Sequence, residues 1–178
     1  YPISVWAQRS GALLVITGGY FTAENVVTGL TIADGESHGY IYDDFAGMFA
    51  VTDAGEISVR WLRTWPYDAQ EPLQQAIQSF PVLVKPGGEM GFPADGDDGR
   101  PARRVVVAQD GAGRVLLLIA QRGYLSLHAL ATWLADADMD IDVALNLDGG
   151  TSAGFWMPDG PQIDSLIAVP VVIGAFPR

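Results

Sequence analysis

The segment NLDGGTS, Asn146 to Ser152, gathers into one turn the groups that bind and transform polar ligands. Asn146 brings an amide, Asp148 a carboxylate, and Thr151 and Ser152 hydroxyls. A ligand there meets donors, acceptors and one proton-transfer group. Gly149 and Gly150 permit φ > 0 and let backbone N–H groups approach an anion or a sugar closely. Asp-Gly and Gly-Gly pairs also make plain chain reversals, and pattern alone favours the reversal. Three hydrogen-bonding side chains and two glycines crowded around a single acid are what favour a site.

A second glycine pivot, TGGYF, places Thr17, Gly18, Gly19 and Tyr20 at the end of the apolar run GALLVIT. The densest basic cluster is Arg100, Arg103 and Arg104. A bidentate arginine suits phosphate oxygens. Its alternative is a salt bridge to one of the 21 acids, at least as good a reading for Arg100 and Arg103.

Several other motifs lose on inspection. GTSAG, Gly150 to Gly154, fits the GxSxG nucleophile elbow, which requires a following helix and a base. Pro158 and Pro161 interrupt any helix there, and both histidines, His38 and His128, precede Ser152, against the usual chain order. His128 reads as a packing residue on a helix and His38 as a loop residue. ADADMDID, Ala135 to Asp142, holds four aspartates without the glycine and terminal glutamate of an EF-hand loop, so a solvated helix end is favoured. No metal ligand set is readable, although carboxylates leave room for a divalent cation. Neither common nucleotide-binding glycine loop is present.

The elements that must position these residues follow from composition and periodicity. The chain has 178 residues, 49% of them hydrophobic and 17% charged, which suits one domain over residues 1–178 with a substantial core. A net charge of −11 disfavours nucleic acid and anionic membrane surfaces as partners. Without cysteine there are no disulfides and no thiolate chemistry. No apolar run is long enough for a transmembrane helix. The chain opens on Tyr1, consistent with a removed leader or upstream segment. Oligomeric state is not readable.

Strands are expected in GALLVIT, near residues 29–32 and 46–51, in EISVRWL, in PVLV at residues 81–84, and in DVAL at residues 142–145. ARRVVVAQ and RVLLLIAQ flank Asp110-Gly111-Ala112-Gly113 and read as a hairpin of two central strands. One helix is expected over residues 68–79, where Leu73, Ala76, Ile77 and Phe80 have helical spacing. A second opens on Ser126 as N-cap. Many strands with two helices predict an α+β fold with a mixed, largely antiparallel sheet, the second helix contributing one parallel pair.

On NLDGG with its following hydroxyls and on TGGYF, in that relative order, the chain resembles the phosphodiester glycosidase family. VWAQRSGALLVI, GLTIADG, QSFPVLV and ARRVVVAQDGAGRVLLLIA extend the resemblance over nearly the whole chain, from about Trp6 onward. Thr17 departs where the family usually has asparagine, Val105 where threonine is common, Ala108 where glycine is common and Ala129 where glutamate is frequent. Family domains often begin with strands upstream, so a version shortened on its N-terminal side is expected.

The resemblance implies a hydrolase that cleaves a sugar-1-phosphodiester, N-acetylglucosamine being the family's sugar, to free sugar and phosphomonoester. It implies Asp148 as the catalytic or metal-orienting carboxylate and Arg104 as the phosphate clamp. Thr17, Gly18, Gly19, Tyr20, Asn146, Gly149, Gly150, Thr151 and Ser152 would contact substrate. Glu24 and Asp164 are the candidates for a second carboxylate. No cofactor is required by this reading beyond a possible divalent cation, and it implies an extracytoplasmic place. The competing class is a non-catalytic glycan or cell-wall binding module on the same fold.

Overall fold

The computed structural model describes residues 1–177. Helix α1 (Ile3–Ser10) opens the chain. It is followed by β1 (Leu14–Thr17), β2 (Thr31–Ala33), β3 (Glu36–His38), β4 (Gly47–Thr52), β5 (Ile57–Trp61) and β6 (Leu73–Ser79). Next come β7 (Val82–Lys85), β8 (Glu89–Met90), β9 (Ala102–Asp110), β10 (Val115–Leu125), helix α2 (Leu127–Asp136) and β11 (Ile141–Asn146). Strands β12 (Phe155–Trp156), β13 (Gln162–Ile163) and β14 (Val172–Ala175) complete it.

The α+β class stands, but three sheets replace the one expected: β13-β12-β1-β14, β10-β9-β11-β7-β8 and β3-β2-β6-β4-β5. Every strand pairing among the described residues is antiparallel. The parallel pair expected around α2 does not form. Strand β9 lies between β10 and β11 and pairs antiparallel with both, so α2 carries the chain across one strand. The hairpin is present, yet β10 is an edge strand rather than a central one.

The apolar run of β9 is buried on two faces. Val105 and Val107 join Val143 and Leu145 of β11 and Ile16, Phe49, Ile77 and Phe155 from the other sheets. Val106 and Ala108 pack on the opposite side with Leu130, Ala131 and Leu134 of α2. A strand covered twice has no solvent face on which to alternate polar residues. Helix α2 starts as expected, its Ser126 side chain accepting from the Ala129 N–H at 3.2 Å.

The helix expected over residues 68–79 is instead strand β6. It pairs with β2 on one side and β4 on the other. Leu73 and Ala76 face one core and Ile77 another. Backbone pairing along both edges outweighs the helix-forming composition of so short a segment. Helix α1 lies where the sequence carried no expectation: its 8 residues are too few to display a period, and it ends on Gly11 at φ 67.

Candidate functional site

The loops after β1 and β11 start in different sheets and are joined by hydrogen bonds. The Asp148 N–H donates to Gly18 O at 3.0 Å. The Thr17 hydroxyl donates to Ser152 O at 2.7 Å and accepts from the Gly154 N–H at 2.8 Å. Thr17 is 0% exposed, so its hydroxyl is engaged within the scaffold. Beyond Gly149 the chain makes one 3-10 turn, Gly150–Ser152. A Cβ on Gly149 would lie 2.7 Å from Arg103 O, which shows how tightly this loop presses on the start of β9. Gly18 and Gly19 are equally crowded, by Val171 at 2.8 Å and Ile77 at 2.9 Å. Gly150 differs: it has φ 57 and open space around it.

Asn146 ends β11 opposite Val106 of β9. Arg104 stands two residues before Val106, hence on the same face of the sheet, the one that α2 covers. Asn146 is 1% exposed. Its Nδ2 lies 2.7 Å from the Tyr20 hydroxyl, 2.8 Å from Leu147 O and 3.0 Å from Phe80 O. Tyr20 in turn donates to Phe80 O at 2.9 Å. The Asn146 Oδ1 is buried without a partner. Such an acceptor is expensive to leave unpaired, so a donor reaching this position would find it open.

The scaffold that holds Asn146 was not foreseen. Ser79 Oγ donates to Asn146 O at 2.7 Å, and the Asn146 N–H donates to Pro81 O at 3.0 Å. Gln78, also buried, accepts from the Leu30 and Tyr42 N–H groups and donates to Tyr42 O and Phe45 O. It thereby pins a loop whose Phe45 ring lies 5.5 Å from Tyr20 and 6.2 Å from Phe80. The only signal was a buried-type strand, Leu73 to Ser79, carrying Gln78 and Ser79 where apolar residues would be expected.

Two charges face this arrangement. Arg104 uses two of its five N–H donors, Nε to Leu125 O at 3.2 Å and Nη2 to Arg100 O at 2.8 Å. Among the described residues no carboxylate lies within 4.0 Å of it. Three donors and a full charge are therefore free for an anion. Arg100 makes an exposed pair with Asp98 at 3.6 Å, whereas Arg103 donates to the main-chain Asp164 O at 3.0 Å and has no salt bridge among the described residues. Asp148 is half-buried. Burial pushes its carboxyl above the usual range, and hydrogen bonds from the Ser152 hydroxyl and the Gly149 N–H oppose that only in part. Burial, and then the Asp148 charge, push the Tyr20 phenol far up, while Arg104 and the Asn146 bond pull it down. Tyr20 thus sits within the field of both charges and stays protonated. Ser152, 5% exposed, steadies the Asp148 carboxyl, whereas Thr151 is exposed.

Neither candidate second carboxylate joins this group. Asp164 caps α1, accepting from the Ser4 N–H at 3.0 Å. Glu24 is exposed on the turn after Phe21. Asp97 comes nearer: with Phe80, Phe92 and Arg104 it lines a cavity of about 430 Å³, and it accepts from the His128 N–H at the start of α2. His128 Nδ1 is 3.0 Å from Phe92 O, in keeping with a packing role. His38 lies on the exposed edge strand β3 rather than in a loop. Among the described residues no three His, Cys, Asp or Glu side chains gather in one place. No helix of those residues is long and apolar enough to cross a membrane.

The antiparallel α+β scaffold thus brings a half-buried acid and an arginine without a carboxylate partner to the surroundings of Tyr20. The model of the phosphodiester glycosidase family matches residues 10–176, and the chain belongs to that family. The family is one of glycosidases, which supports a hydrolase of this type. Among solved structures, the catalytic domain of zebrafish N-acetylglucosamine-1-phosphodiester alpha-N-acetylglucosaminidase, auto-inhibited by its pro-peptide, shares the fold at TM-score 0.72 and 20% identity. That match covers 99% of this chain and 67% of the zebrafish one. A hypothetical protein from Synechocystis matches at TM-score 0.58 and 15% identity, over 88% of this chain and 49% of its own. No curated protein sequence matches.

Proposed function

We propose that this chain hydrolyses a sugar-1-phosphodiester, releasing free sugar and leaving the phosphomonoester on the second alcohol. The observation that carries the reading is Arg104, with three free donors and no carboxylate partner among the described residues, on the same sheet face as Asn146 and, like Asp148, acting on Tyr20. A phosphomonoester leaves as a stabilised anion, so the departing oxygen needs charge compensation more than a proton. Arg104 supplies it. Asp148 then takes the proton of the attacking water as its hydroxyl bonds to the anomeric carbon and the C–O bond to phosphate breaks. A carboxylate raised towards neutrality is a stronger base for that step than an ordinary one. The free Asn146 Oδ1 accepts from a sugar hydroxyl, the exposed Thr151 hydroxyl bonds a sugar or phosphate oxygen, and Ser152 orients the acid.

A second reading, a glycan-binding module without turnover, draws on Thr17. It stands where the family usually has asparagine, and its hydroxyl is engaged in the scaffold. A panel of sugar-1-phosphodiesters, assayed with and without added divalent cation for free sugar and phosphomonoester, separates the two. Product formation by the parent that Asp148→Asn abolishes supports the enzyme. Saturable binding without product supports the module.

A further inference from the structure

Arg104 also borders a second cavity, of about 290 Å³, whose lining is almost wholly apolar: Val106 on β9, Leu118 and Leu125 on β10, and Leu130 and Trp133 on α2. Helix α2 leaves this face of the edge strand incompletely covered. On this face Leu116, Leu118 and Ala120 of β10 are only half-buried, and Trp133 is 51% exposed at the rim. The sheet order β10-β9-β11 fixes what lies on each side of Arg104. Towards β11 stand Asn146 and the Asp148 loop, whose Gly149 packs on Arg103 and Arg104. Towards β10 lies the apolar groove. Acid, phosphate clamp and groove therefore follow one another in the order sugar, phosphate, leaving alcohol.

We propose that the groove holds the leaving alcohol and that this alcohol carries an alkyl chain, which makes the substrate class a sugar phosphodiester of a long-chain alcohol. The inference rests on the hydrolytic reading above and follows its stoichiometry: one water is consumed, the bond between the anomeric carbon and the phosphate oxygen breaks, and free sugar and an alkyl phosphate result. An apolar cleft of this kind gains by excluding water from each methylene it covers. A short polar alcohol would leave it wet.

The test uses one sugar 1-phosphate esterified to methanol, hexanol and decanol, kept below the micelle concentration of the decyl ester. kcat/KM is expected to climb by about ten-fold or more from methyl to decyl, through KM. Trp133→Ala and Leu118→Gln should each flatten that climb. Trp133 is half-exposed, so its substitution serves where Leu118→Gln lowers the thermal midpoint. Turnover without a chain-length dependence, or with one that survives Trp133→Ala, overturns this proposal and leaves phosphodiester hydrolysis standing. Failure to turn over any ester removes the hydrolytic reading instead, and calorimetry then decides the groove. Decyl phosphate binding about ten-fold tighter than methyl phosphate, with the margin lost in Trp133→Ala, upholds it; equal affinity overturns it. A dimer that Trp133→Ala converts to monomer would show that a second copy fills the groove, which also overturns the proposal.

Discussion

Burial acts on Asp148 in two ways, one kinetic and one thermodynamic. Because its carboxyl titrates above the usual range and it must be ionised to accept a proton, kcat/KM should rise with pH along a limb lying above ordinary carboxylate values. A rate already flat at pH 4 would remove Asp148 from the role of base. The stability consequence has the opposite sign. A folded-state value raised above the unfolded one means that the fold favours the protonated form, so this stabilisation is complete below the unfolded value and lost as pH rises through the folded one. Asparagine imitates the protonated form. Asp148→Asn should therefore abolish turnover yet melt at a higher temperature than the parent at pH 7; a lower midpoint by calorimetry would contradict the buried-charge account. Arg104→Lys keeps the charge and loses the fork, so kcat/KM should fall by about ten- to a hundred-fold with a small change in thermal midpoint. A collapsed midpoint would instead assign Arg104 to the scaffold through its bonds to Leu125 O and Arg100 O.

At the scale of elements, the site depends on how closely one loop approaches one strand. Gly149 meets Arg103 O and Gly150 meets nothing, though Gly150 alone has the left-handed φ. The two glycines thus fail differently. Gly149→Ala forces the Asp148 loop off β9 and should cost about 1–3 kcal/mol together with most of the activity. Gly150→Ala should cost about 1–2 kcal/mol through backbone strain while keeping the loop against β9, hence retaining far more activity. Equal activity losses at matched stability would deny that loop position governs the chemistry. The strands ending in these loops were legible because β1, β9 and β11 are apolar runs bounded by glycine or aspartate. Strand β6 was not, since its helical spacing of Leu73, Ala76 and Ile77 arises from two cores taking different residues. With β6 misread, Gln78, Ser79 and Phe80 had no place, and the scaffold beneath Asn146 stayed invisible.

Over the whole molecule, the net charge of −11 opposes the approach of any phosphodiester, and only local arginines invite it. Salt screens long-range repulsion more than contact with a partly covered guanidinium. kcat/KM for an anionic substrate should therefore rise as ionic strength goes from about 0.01 M to about 0.15 M. A steady fall would mean that Arg104 and its neighbours dominate the field. The sequence by itself determined the α+β class, the hairpin of β9 and β10, the start of α2 at Ser126, and the nomination of Asp148 and Arg104. These rest on local chemistry: turn residues, a cap, periodicity, and residue types suited to acids and phosphates. Only the tertiary structure decided that three sheets share the core, that the Thr17 hydroxyl faces the scaffold while that of Ser152 turns to Asp148, and that Asp164 caps a helix. It also decided that Arg104 borders an apolar groove. Those facts arise from pairing and burial between residues distant in the chain, as between Thr17 and Ser152 or Ser79 and Asn146, and no local pattern carries them.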